Sequence, residues 1–355
     1  MRVYYIESGL EGCYLVRCLL PLQELGFNGD KTSLLEPLTT PDFKAKAAQQ
    51  AEVVVFHRPE QEKKLELARL LKQQGKKIVF DNDDTLKHDG GFRLNEFMDA
   101  KRVKEGIAEL DKTVDAFIKE ADLVTTSTEM LADEYRKINP NVVVLPNCID
   151  PFMFDEPLRN ETDVIRIGIA GSVGVTNDLD VAEPIIRNYE NDPRVRIVFF
   201  SLPPRDQDEM MRKIYAEEYK FLDSINVEWQ PFARVPVYFQ TLNELRLDML
   251  LIPRADNYFN RCKSNLKFLE ASMLEIPCIA QSFPDGKSPY EVNPEDAKHM
   301  LLATDQTSWI EQIEKLIADK EFRREQGRKA HEYVEENYSI EKNAYKWKQA
   351  YESIV

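Results

Sequence analysis

Short apolar runs rich in valine and isoleucine alternate along this chain with longer stretches whose apolar positions recur every three or four residues. The first kind reads as buried strand and the second as amphipathic helix. Their alternation predicts βαβ units and parallel sheets. In the first half, strands are predicted at 3–6, 53–56, 77–80, 123–126 and 142–145, with helices over 62–74 and 103–120 among the segments between them. Residues 151–163 break the periodicity, carry Pro151 and Pro157, and read as a linker. The pattern then restarts with strands at 165–169, 195–200, 227–229, 248–252 and 277–280, a helix over 308–319 and a long charged helical tail to Val355. Ligands in such sheets sit at the carboxyl ends of the strands, so a cleft between two α/β domains is the expected site.

Length agrees with that division, since 355 residues exceed one compact core. The charge balance is 47 − 62 = −15. So acidic a surface argues against a nucleic-acid polymer as main partner, yet a small phosphorylated ligand needs only a few local cations. The five cysteines are scattered without a C-x-x-C pair, which suggests neither a disulfide framework nor a zinc site. Glu7, Glu11 and Arg17 interrupt any secretory apolar run, and no stretch could span a bilayer. The expected location is the cytoplasm, with contact at a membrane surface left open.

The most informative stretch runs over 260–277. Ser264 reads as an N-cap and Pro277 stops the helix. Lys263, Lys267 and Glu270 are spaced i, i+4, i+7 and would share one face, while Leu266, Leu269 and Met273 face the core. A lysine in the first turn opposes the helix dipole by ~0.3–1 kcal/mol. It makes sense if an anion occupies the helix start, where Ser264 and Asn265 sit and free N–H groups point outward. Two lysines suit a diphosphate, and Glu270 one turn deeper suits two ribose hydroxyls. A solvated lysine face with a surface glutamate is the plainer alternative.

Two loops add candidates. Gly168, Gly171, Ser172 and Gly174 crowd the end of the strand at 165–169, where a missing Cβ lets backbone N–H groups approach a phosphate. A tight turn explains them equally well, and the absence of G-x-G-x-x-G makes a nicotinamide cofactor a poor reading. Asp81, Asp83 and Asp84 follow the strand at 77–80 and would repel one another unless a cation, a hydroxyl-rich ligand or protonation intervened. The same string matches the D-x-D-x-T motif of haloacid-dehalogenase-type phosphatases, with Asp81 as nucleophile, Asp83 as acid/base and magnesium as cofactor. Against that stand the strand–helix–strand unit ahead of it and the lack of a later acidic pair at a strand end. The D-x-D metal motif of single-domain glycosyltransferases does not fit a two-sheet layout. His57, also at a strand end, reads as structural.

The stretch 260–277 resembles the donor-binding motif of family 4 retaining glycosyltransferases of GT-B architecture. Residues 121–131 with 144–150, then 246–253 and 323–338, resemble further blocks of that family in the same order. The resemblance implies an α/β GT-B fold, two Rossmann-like domains with parallel sheets facing a central cleft. Residues 1–150 would form the acceptor domain and 160–337 the nucleotide-sugar donor domain, with the helix at 338–355 packing back on the first. It implies sugar transfer from a nucleoside diphosphate sugar such as a UDP-sugar to a hydroxyl on a glycan, lipid-linked or protein acceptor, as in polysaccharide biosynthesis. Retention of configuration is implied, with no metal and no cofactor. Lys263 and Lys267 would stabilise the departing diphosphate, Gly171, Ser172, Ser264, Asn265 and Glu270 would bind the donor, Asp83 and Asp84 would act at the transferred sugar or acceptor, and Arg17, Arg58 and Asn147 would line the cleft.

Three positions depart from the family. Its first glutamate, eight residues before Glu270, is Cys262; a helix-ending glycine is Glu275, which would cost ~1 kcal/mol in a left-handed site; and an Asn-Gly is Asn147 with Cys148. Cys262 keeps a non-catalytic sugar-nucleotide binder open beside the transferase and the phosphatase.

Overall fold

The structure is a computed structural model and describes residues 1–6, 12–26, 49–85, 100–171, 178–201, 203, 206, 209–214, 216–235 and 237–355. The strands form two all-parallel sheets. The first comprises β1 (Val3–Ile6), β2 (Val53–His57), β3 (Lys77–Asn82), β4 (Leu123–Thr126) and β5 (Val142–Val144), in that order. The central strands are buried on both faces, as parallel strands covered by crossover helices must be, which is why they read as continuous apolar runs.

The second sheet comprises β6 (Ile165–Ala170), β7 (Val195–Phe200), β8 (Glu228–Gln230), β9 (Met249–Ile252), β10 (Cys278–Gln281) and β11 (Leu301–Ala303). Their spatial order is β11-β10-β9-β6-β7-β8. The order reverses between β6 and β9, and the crevice at such a reversal is where open α/β sheets bind ligands. β11 was not expected from the sequence. It is three residues long at the sheet edge with Leu301 and Leu302 only half-buried, too short a run to stand out.

Between β9 and β10 the chain makes two helices, Tyr258–Cys262 and Leu266–Met273. The second is buried from Phe268 to Met273, so it is a core element of its sheet as well as the element nearest the crevice. Leu274 caps its C-terminus, and the next residue, Glu275, holds φ 51. The left-handed conformation expected for the missing glycine is present. Helix Lys320–Tyr338 crosses this point at Gly327, where a Cβ would run into the Glu275 carbonyl.

Past Tyr338 the chain reaches the first sheet. Ile149 donates to the Tyr338 carbonyl (3.0 Å) and Ile340 donates back to the Ile149 carbonyl (2.7 Å). Helix Tyr345–Glu352 then buries Trp347 and Tyr351, and the Tyr351 hydroxyl meets that of Tyr5 on β1 at 3.0 Å. One apolar cluster accordingly runs from β1 through these helices to Phe268 and Leu269. None of the five cysteines is in a disulfide, and among the described residues no helix is long and apolar enough to cross a membrane.

Candidate functional site

The carboxyl ends of β6 and β9 and the start of helix Leu266–Met273 converge. Gly171 ends β6 with φ +121, a conformation that side chains strain against, and the Lys267 Cε lies 3.8 Å from where its Cβ would be. Lys267 is in the first turn, as expected, and that turn holds no acidic residue. Its ammonium donates to Glu270 Oε2 (2.9 Å) and to the Tyr238 hydroxyl (2.6 Å), which itself donates to Glu270 Oε2 (3.0 Å). Burial disfavours the charge on Lys267, but Glu270 and Tyr238 outweigh it and hold the ammonium protonated well above the ordinary lysine range. The result is a partly buried ammonium, held in its charged form, at a helix start.

The expected single helical face does not form. Lys263 lies before the helix, in extended conformation at ψ 154, because the chain turns between the two short helices. Its ammonium crosses the cleft to Asp84 Oδ2 at 3.0 Å and lies 4.1 Å from the Phe259 ring centroid. Ser264 is not the N-cap either; Asn265 occupies that position without a capping side-chain bond. The Ser264 hydroxyl accepts from Asn147 Nδ2 (3.0 Å), so it links the two sheets instead. Thr128 Oγ1 donates to the Cys262 carbonyl (3.1 Å) at the same junction. Asn265 donates to Asp296 Oδ2 (2.7 Å), which also receives the Tyr338 hydroxyl (2.9 Å). Ser172 lies outside the described residues.

On the facing side, β3 delivers three acids with different fates. Asp81 is fully buried. Its oxygens take Arg17 Nη2 (2.7 Å) and Nε (3.2 Å), Thr125 Oγ1 (2.6 Å) and His57 Nδ1 (3.0 Å). Burial pushes this carboxyl up, but Arg17 and His57 outweigh it and hold it well below the usual carboxylate range. Arg17 itself has no exposed surface: a π-helical turn over Leu15–Leu19 buries five consecutive residues and points the guanidinium inward, over the Trp347 ring and onto the side chain of Asn147 (3.2 Å). Arg17 is therefore beneath the cleft rather than on its surface, and Asn147 is buried beside it.

Asp83 and Asp84 differ. Each leaves a buried Oδ1 without a hydrogen-bond partner among the described residues. Burial raises the Asp84 carboxyl, Lys263 opposes this, and the charge of Asp83 adds to it. Arg58 sits beside both acids in a left-handed conformation (φ 47), an uncommon state for a side-chain-bearing residue that places its guanidinium at the end of β2. Buried carboxylate oxygens with nothing to accept are costly, and a hydroxyl-bearing ligand would satisfy them. Among the described residues no three of His, Cys, Asp and Glu gather as a metal-ligand set. Cys262 is fully buried and packs with the apolar cluster of the first sheet, so this position presents no acid to the cleft.

Several supporting residues carry no local signal. Tyr238 and Asp296 lie 29 and 31 positions from their partners Lys267 and Asn265. Asp178, at the start of the helix that follows the glycine loop, accepts from Arg254 Nη1 (2.6 Å), Ala255 N (2.9 Å) and Asn260 Nδ2 (2.7 Å). It thereby ties the loops after β6 and β9 together, a relationship visible only once the strands are neighbours.

No protein-family model and no curated protein matches the sequence. Solved structures do match. Sucrose-phosphate synthase from Thermosynechococcus elongatus is similar at TM-score 0.65 and 15% identity over 100% of this chain and 99% of that one. Anabaena HepE in complex with UDP and glucose is similar at TM-score 0.63 and 10% identity, covering 99% of each chain. A glycosyltransferase from Rickettsia africae is similar at TM-score 0.61 and 12% identity, covering 99% of this chain and 97% of that one. Identity this low speaks to architecture alone, and the architecture extends over both sheets and the C-terminal crossover. On fold, the chain is a two-domain GT-B protein.

Proposed function

We propose that the protein transfers a glycosyl unit from a nucleoside diphosphate sugar to a hydroxyl acceptor. The observation that carries this reading is Lys267: a partly buried ammonium in the first turn of a helix at the sheet's switch point, held by Glu270 and Tyr238 and facing Gly171. Charge grows on the diphosphate as the glycosidic bond breaks, and a preorganised cation in a low-dielectric site stabilises it there. Lys263 is the second such cation once it exchanges Asp84 for phosphate. Glu270 accepts the ribose hydroxyls, while Asp83, Asp84 and Arg58 face the transferred sugar or the acceptor across the cleft. The cations do the work that a metal performs elsewhere, so the reaction proceeds without one and without a cofactor; retention at the anomeric carbon is the outcome that the family resemblance implies. The solved relative bound to UDP and glucose supports a UDP-sugar as first candidate. A cytoplasmic enzyme acting on a glycan, lipid-linked or protein hydroxyl fits this chemistry.

The phosphatase alternative loses its nucleophile, since Asp81 is enclosed and both its oxygens are occupied. A non-catalytic binder retains one favourable observation, the buried Cys262. Incubation with a panel of nucleotide sugars and model acceptors in chelator separates them. The transferase releases nucleoside diphosphate and yields a glycoside whose anomeric configuration, read by NMR, equals the donor's; the binder holds nucleotide sugars without releasing diphosphate. An inverted product would overturn retention alone.

A further inference from the structure

Behind the second sheet, at the amino ends of β6 and β9, lies a small recess at the other end of these strands from Gly171. Its walls include Arg159 from the interdomain linker, Lys320, Arg323 and Arg324 from the first turns of helix Lys320–Tyr338, and the carboxylates of Asp248 and Glu275. Four cations meet two anions there, in a chain whose overall charge is −15.

Both carboxylates are already engaged. Asp248 accepts from Asn160 Nδ2 (2.6 Å) and the Arg166 amide (2.9 Å) and lies 3.3 Å from Arg323 Nη2. Glu275 pairs with Arg159. Arg323 is buried and spends a second nitrogen on the Leu316 carbonyl. Lys320 and Arg324 are left with no ion-pair partner among the described residues. Burial lowers the pKa of the Arg159 guanidinium and the nearby charge of Arg324 lowers it further, although Glu275 pairs with Arg159, so the positive charge of Arg324 is the one left unbalanced beside it. Lys320 and Arg324 also stand in the first turns of a helix, where positive charge opposes the macrodipole. A tetrahedral oxyanion offsets the unpaired charge of Lys320 and Arg324 and its opposition to the helix dipole together, because guanidinium forks and an ammonium match its geometry and charge.

We propose that this recess is a binding site for a phosphate-class dianion, separate from the cleft and independent of the sugar-transfer reading. Because Arg159 belongs to the linker and Lys320, Arg323 and Arg324 to the helix that leads back over the first sheet, an occupant fastens the two segments that join the domains.

The test uses inorganic phosphate on the full chain carrying Lys267→Ala, which weakens the cleft as a competing phosphate site, while substitutions in the recess separate the two. Thermal unfolding is followed against phosphate concentration, with chloride at matched ionic strength as reference, since general screening would otherwise contribute. A saturable rise in Tm is expected. Arg324→Gln, and separately the exposed Lys320→Gln, should each weaken the apparent phosphate affinity about tenfold, the scale of one charge-assisted hydrogen bond. No saturable rise over chloride, or a rise that both substitutions leave unchanged, would overturn the site.

Discussion

Lys263 and Asp84 meet at 3.0 Å across the cleft, joining the donor-side helix pair to the end of β3. Each side chain is mostly buried, at 23% and 14% exposure, so the pair is stronger than a surface contact and still within reach of solvent. A diphosphate entering the cleft competes with Asp84 for the same ammonium. Asp84→Asn therefore leaves Lys263 free and should tighten nucleoside diphosphate binding by about fivefold, equivalent to about 1 kcal/mol, while lowering sugar transfer. Calorimetric titration of both proteins checks this; weaker diphosphate binding in the variant would place Asp84 outside the competition.

Asp81 gives a prediction about stability. Removing one partner of its buried pair with Arg17 leaves an uncompensated charge, so Asp81→Asn should lose about 3–5 kcal/mol in denaturant unfolding. The native carboxyl is held below its ordinary value of 3.8. The unfolded chain therefore binds a proton first as pH falls, and the contribution is complete above that value and lost as pH drops through the native pKa. The gap between wild type and variant should stay constant above about pH 5 and close in more acidic solution. A gap that widens toward low pH would contradict the assignment.

Gly327 and Glu275 test the close crossing of two helices. Because the obstacle to a Cβ at 327 is backbone, Gly327→Ala should cost about 2–3 kcal/mol, more than a surface glycine change. Glu275→Gly relieves a left-handed residue, a gain of about 1 kcal/mol, and loses a partly exposed pair with Arg159 worth about as much. Its stability should stay within about 1 kcal/mol of wild type. Denaturant midpoints for the two variants measure both effects.

The sequence showed the sheets because parallel strands buried on both faces leave uninterrupted apolar runs. Val3–Ile6, Leu123–Thr126 and Val195–Phe200 fall where the pattern placed them. The cleft was less legible. A seven-residue spacing places Lys263 on the helix of Lys267 only if the helix is continuous, and the turn at Lys263 is stabilised from outside it. Asn147 holds Ser264 and Thr128 holds Cys262, both more than 100 positions away. Arg17 likewise looked like a cleft residue until a π-helical turn directed it under the sheet end. Local spacing records periodicity; it carries no trace of partners that arrive through tertiary packing.

The account rests on Lys267 as the seat of a diphosphate. Titrating UDP, GDP and ADP calorimetrically into wild type and Lys267→Ala, with chelator present and folding of the variant confirmed by its unfolding curve, tests it directly. At least one diphosphate should bind the wild type, and the variant should bind it about ten- to a hundredfold more weakly, the scale of a lost hydrogen bond to a charged group. Equal affinity in the two proteins, or no binding of any diphosphate to the wild type, would contradict it.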